Sequence, residues 1–135
     1  MGELAAEQLQ WLDALCSAED QRPLVVGIHH NMLPTHAPWL DHMTVRQGEE
    51  AHRILKQAQS RIRGVFFGHI HENTVTVRDG IAYYSALSGW FQTRTWHDAP
   101  APERDPLDIP GFNLVTLTQQ ETFVRFYRIP ATSFE

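Results

Sequence analysis

Apolar residues first recur at three- and four-residue steps, with Leu4, Trp11, Leu12, Leu15 and Cys16 forming one stripe, and this spacing predicts an amphipathic helix over residues 3–19 with Trp11 in the core. The polar stretch Ser17-Ala18-Glu19-Asp20 ends it. Pro23-Leu24-Val25-Val26-Gly27-Ile28 is nearly all apolar and predicts a strand that finishes at His29. A long irregular stretch, residues 31–46, follows. From Gly48 to Gln59 the helical period returns, with Ala51, Ile54, Leu55 and Ala58 on one face and a solvated charged face that includes His52. Gly64-Val65-Phe66-Phe67 predicts a second buried strand, ended by Gly68. Strand, helix and strand in this order imply a parallel pair with a right-handed crossover, and hence an α/β fold.

Past His71 the period changes to two. Residues 74–78 and 81–85 alternate around Asp79-Gly80, a strong hairpin signal. Phe112 to Thr118 and Thr122 to Ile129 predict a second antiparallel pair, with Phe112 and Leu114 on the core face of one strand and Val124 and Phe126 on that of the other. Between the hairpins, residues 97–110 carry Pro100, Pro102, Pro106 and Pro110 and read as an extended, mobile excursion. With 42% hydrophobic residues, residues 1–135 suffice for one domain with its own core.

The formal charge of -5 argues against a nucleic-acid or anionic-membrane partner, which would need a basic face. Cys16 is the one cysteine, so no internal disulfide forms and a reducing cytoplasm suits the chain. No basic segment precedes an apolar one at the amino terminus, and no apolar run has the length of a membrane span.

The chemistry concentrates at the two strand ends. His69 and His71 are two residues apart, which in extended chain places both imidazoles on one face, about 6 to 7 Å apart at Cα. Gly68 allows the bend that aims them. Parallel strands ending in histidine would bring His29, His69 and His71 to one sheet edge, where open α/β sheets bind ligands. The loop leaving this edge carries Trp39 and Leu40, either a substrate wall at the cleft mouth or an anchor for the loop, and Asp41, a possible loop cap. His36 and His42 read as surface residues, and Arg94 as a weak phosphate contact.

Gly2-Glu3-Leu4, Gln8-Leu9-Gln10-Trp11-Leu12, His29-His30, Trp39-Leu40-Asp41 and Gly68-His69-Ile70-His71 together resemble the carboxyl-terminal half of calcineurin-like metallophosphoesterases. Within that superfamily the chain is most similar to the bacterial cyclic-nucleotide and glycerophosphodiester phosphodiesterases, over roughly residues 2–90. The resemblance implies a four-layer α/β/β/α sandwich and a small phosphodiester or phosphomonoester substrate. It also implies two ions of manganese, iron or zinc that direct a hydroxide in line with the leaving group. His29 and His69 would hold one ion, His71 the other, with His30 acting beside them and Trp39, Leu40 and Arg94 meeting substrate.

The chain departs from the family at Asn31-Met32-Leu33, where a proline usually follows the paired histidines. It also contains no D-x-H, and the other upstream motifs (G-D and G-N-H) are absent. The expectation is half an active site, completed by an amino-terminal half or by self-association. A non-catalytic interaction module is the alternative from another class, and a one-ion enzyme using three histidines is a third reading.

Overall fold

Val25-Val26 and Val65-Phe66-Phe67 favour extended chain because branched and aromatic side chains pack well on a pleated surface. In the computed structural model, which describes residues 1–129, both segments are strands. The order is α1 (Ala6–Ser17), β1 (Leu24–Ile28), a one-turn α2 (Pro38–Asp41), α3 (Gly48–Gln57), β2 (Ile62–Phe67), β3 (Val75–Arg78), β4 (Ile81–Ser85), β5 (Thr93–Arg94), β6 (Glu103–Arg104), β7 (Gly111–Leu117) and β8 (Thr122–Arg128). A short 3-10 turn, Gln59–Arg61, separates α3 from β2.

The expected parallel pair is present, with Val26 opposite Val65 and Ile28 opposite Phe67. The hairpin also forms, Asp79 and Gly80 taking φ of 49° and 73°, the left-handed pair that a type I′ turn requires. Its place could not be read from local pattern: β4 lies parallel to β2, so the sheet is mixed, in the order β1-β2-β4-β3. One face of this sheet is closed by α1 and α3, and Val65, Ile81, Tyr83 and Leu55 are almost completely buried there. Each such aliphatic side chain contributes about 1.5–3 kcal/mol by leaving water.

Helix α1 corrects the expected stripe. It starts at Ala6, and Leu9, Leu12 and Cys16 turn inward at steps of three and four residues. At about 100° per residue, Trp11 falls one position off that stripe and is 65% exposed, not core. His52 is corrected in the opposite sense: it is 3% exposed, bound through Nδ1 to Tyr83 Oη at 2.7 Å and through Nε2 to Asp79 Oδ2 at 2.9 Å. The β3–β4 hairpin supplies both polar partners, Asp79 from its turn and Tyr83 from β4, which a helical wheel cannot anticipate.

The late hairpin forms with the expected boundaries to within a residue, and β8 turns Val124 inward as expected, but the core face of β7 is the opposite one. Asn113 Nδ2 donates to Ser85 O and Thr122 Oγ1 donates to Arg63 O, pinning the face that carries Asn113, Val115 and Val124 toward the first sheet. Phe112 and Leu114 are each 46% exposed, and Phe126 is as exposed. The proline-rich stretch is tied back at its centre, where β6 pairs with β5 and Asp105 N–H donates to Gln92 O. No helix among the described residues is long and apolar enough to cross a membrane.

Candidate functional site

Strands β1 and β2 end together, and Gly68 N–H donates to His29 O at 3.1 Å, so the residues just beyond both ends share one edge. The bend after β2 falls on the histidines themselves. His69 has φ of 60° and His71 φ of 54°, a left-handed conformation uncommon in residues with a Cβ. Such backbone costs about 1–3 kcal/mol per residue and persists where the surroundings over-determine it, often at functional sites. The extended geometry expected for this pair is therefore overturned, and with it the idea that both rings share a face.

His69 turns toward β1. Its ring centroid lies 5.4 Å from that of His29 and 4.1 Å from that of His30. One ligating nitrogen from each of His29, His30 and His69 can be chosen so that all lie within 4.8 Å of one another. His30 enters this trio through Gly2, whose Cα packs so closely that an added Cβ would sit 3.0 Å from His30 Cγ. His71 points away from the trio, and its Nδ1–H donates to Phe91 O at 2.8 Å. That bond leaves the His71 Nε2 lone pair free, the tautomer a metal ligand uses.

The trio fits a cation on its own chemistry. His69 Nε2 is buried without a hydrogen-bond partner, and such an orphan is costly unless something else takes the lone pair. Burial, reinforced by His30 and His29, pushes the His69 pKa down to about 4, and burial likewise lowers that of His30. Neutral imidazoles are the ligating form for manganese, iron or zinc. Among the described residues no carboxylate joins the cluster.

A pH dependence follows for the metal-free chain. His69 ought to titrate near 4 in a proton NMR titration, well below the ordinary 6.5. Between those values the unfolded chain binds a proton that the folded chain does not. Stability conferred by this group is therefore complete above 6.5 and falls as pH drops toward 4. A His69 resonance titrating near 6.5 would remove the desolvated reading.

Beside the trio opens a cavity of about 670 Å³, lined by Trp39, Leu40, His69, His71, Trp90 and Phe91 among others. Trp39 and Leu40 thus border it from α2, while Leu40 also belongs to the buried core. Asp41 caps the loop, accepting from Thr35 N–H at 2.6 Å and Thr35 Oγ1 at 2.8 Å. Arg94 is not on the lining; it pairs with Glu103 at 2.9 Å, and Arg104 is the arginine that reaches the cavity. Sequence reading passed over Trp90, Phe91 and Arg104, for which the adjacent aromatics after Gly89 were the available signal. Glu72, its carboxyl pKa raised chiefly by burial, accepts from Thr93 and Thr95 and holds the segment after Phe91 against His71.

No family model matches the chain. It is 25% identical over 130 residues to a 3′,5′-cyclic-nucleotide phosphodiesterase of Nostoc sp., which is 96% of this chain and 47% of that protein. A 3′,5′-cyclic adenosine monophosphate phosphodiesterase of Haemophilus influenzae is 31% identical over 71 residues, 53% of this chain and 26% of that protein. Its namesake from Vibrio vulnificus is 25% identical over 136 residues, covering 98% of this chain and 47% of that protein. The chain spans less than half the length of these curated relatives. Their names agree with the branch that the motifs resemble.

Proposed function

We propose that this chain carries the histidine side of a metal-dependent phosphodiesterase site, acting on small phosphodiesters such as cyclic nucleotides, with phosphomonoesters as a related class. The observation that carries the reading is the trio His29, His30 and His69, three imidazole donors at the ends of two parallel strands, with one buried nitrogen unpaired. The relatives' names support the reaction class. The mixed sheet and the β7–β8 pair would be parts of a four-layer sandwich, working in the cytoplasm.

His29 and His69 would hold one ion, with His30 completing the set, and His71 would offer its Nε2 to a second. When bound, such ions supply Lewis-acid polarisation of the phosphoryl oxygen. The chain's own part is to disfavour protonation of His69 and His30 by burial, to fix the His71 ring through Phe91 O, and to wall the cavity with Trp39 and Leu40. Arg104, rather than Arg94, places a guanidinium on the cavity wall. Neutral ligands do not offset the mutual repulsion of two cations. We therefore assign the remaining carboxylate ligands to polypeptide other than this chain, an amino-terminal half or a second copy.

Metal analysis combined with hydrolysis of a chromogenic phosphodiester tests this. The purified chain should bind at most one ion weakly and turn over far more slowly than about 1 per second, a typical enzyme rate. Adding the amino-terminal half of a full-length relative should raise both metal content and turnover. Turnover at or above about 1 per second by the chain alone would overturn the shared-site assignment. Absence of any histidine-dependent metal binding would favour the non-catalytic alternative.

A further inference from the structure

The cavity beside the trio is walled on one segment by two consecutive aromatics, Trp90 and Phe91, that the phosphoryl chemistry does not use. We propose that Trp90, Phe91 and Arg104 form a stacking subsite for a flat aromatic heterocycle on the substrate's ester group, of which a nucleobase is the chemical class. The inference rests on the phosphodiesterase reading for its orientation, with the trio as the phosphoryl end.

Three features of the wall carry it. The Phe91 ring lies against the His71 ring with centroids 4.4 Å apart, so a group stacked there is next to the histidine edge. The Arg104 guanidinium carbon stands 5.8 Å from the Phe91 centroid, giving the wall a cationic, planar element alongside its apolar ones. Trp90 is 80% exposed and meets Phe91 edge-on at 5.6 Å, leaving a large ring face open at the rim. Indole rings are enriched at binding interfaces, where an apolar ring face packs while the N–H keeps a polar partner.

The wall is also held in shape before anything binds. Buried Gln92 accepts from Ser88 N–H at 2.8 Å and donates to Ser88 O at 2.7 Å, bracketing the turn that presents both aromatics. Asp108 then ties the two sides together. Its Oδ1 accepts from Gln92 N–H at 2.8 Å and its Oδ2 accepts from Arg104. Holding loop and arginine on one carboxylate lowers the ordering cost of binding. A cavity of about 670 Å³ holds a nucleoside-sized group, whereas a glycerol ester would leave most of this aromatic surface wet.

The test uses the whole chain with three probes in tryptophan-fluorescence or calorimetric titrations: adenosine monophosphate, adenosine and glycerophosphate. Adenosine monophosphate should bind at least about tenfold tighter than glycerophosphate, the effect of one stacked base. Trp90→Ala should weaken adenosine monophosphate and adenosine by about tenfold while leaving glycerophosphate binding and zinc content unchanged, and Phe91→Leu should weaken adenosine by a similar factor. Trp90 is exposed enough that its replacement leaves the fold intact, which keeps the test open if Phe91→Leu misfolds. Equal binding of the nucleotide and glycerophosphate, or variants that weaken both alike, would overturn the subsite. Adenosine has no phosphate, so its response reads the subsite even if zinc proves not to bind the histidines; that second failure would sink the phosphodiesterase reading alone.

Discussion

Replacing His69 by alanine should lower the affinity of the chain for zinc or manganese by more than about 100-fold, since even loss of an outer hydrogen-bonding partner of a ligand costs about 10- to 100-fold. His69 is the member of the trio whose nitrogen is buried and unpaired, and its ring lies within 5.4 Å of both other rings. Removing it leaves two adjacent histidines on one strand end and no donor from the other. Elemental analysis after dialysis, with calorimetric titration, measures the change. His36→Ala and His42→Ala, both exposed, are the controls and should retain the wild-type affinity. Metal content in His69→Ala equal to wild type would end the metal assignment. His52 is unsuitable as a control because it is buried and bonded at both nitrogens.

His52→Ala is the substitution expected to damage the fold most, by about 3 kcal/mol, while sparing the histidine trio. Tyr83 Oη donates to His52 Nδ1, and His52 Nε2–H donates to Asp79, which also meets Lys56 at 3.3 Å. Burial, the first cause, holds the Tyr83 pKa up to about 12, so the phenol stays protonated and must find an acceptor. Without the imidazole it is stranded in the core beside a new cavity, and both costs add. Tyr83→Phe removes the orphan and should recover part of the loss in the double variant, as a double-mutant cycle in urea denaturation would show. A loss below about 0.5 kcal/mol would mean the network is neutral to stability. Asp79 and Ile81 lie at the opposite end of β4 from the trio, so zinc affinity should not change.

The elements that could be read from sequence share one physical property: their signals are local. The apolar runs at Leu24–Ile28 and Ile62–Phe67, the helical period at Gly48–Gln57 and the Asp79-Gly80 turn each depend on residues a few positions apart, and each appears where expected. The gathering of histidines at one edge was also legible, because parallel strands that end in register place their next residues together. Tertiary contacts decided the rest. Trp11 was misplaced because α1 docks through Leu9, Leu12 and Cys16, one step round from the stripe that counted Trp11. Phe112 and Leu114 face outward because bonds from Asn113 and Thr122 to the first sheet select the other face of a hairpin apolar on both.

The same division runs through the site. Sequence alone determined that histidines crowd the ends of two parallel strands, since that follows from chain order and strand period. Only the folded chain decided which of them converge: left-handed backbone at His69 and His71 sends one ring to His29 and His30 and the other to Phe91. Dihedral choices of that kind cost local energy and are imposed by long-range contacts such as Thr93 Oγ1 to Ile70 O at 2.5 Å, which no pattern of neighbouring residues encodes.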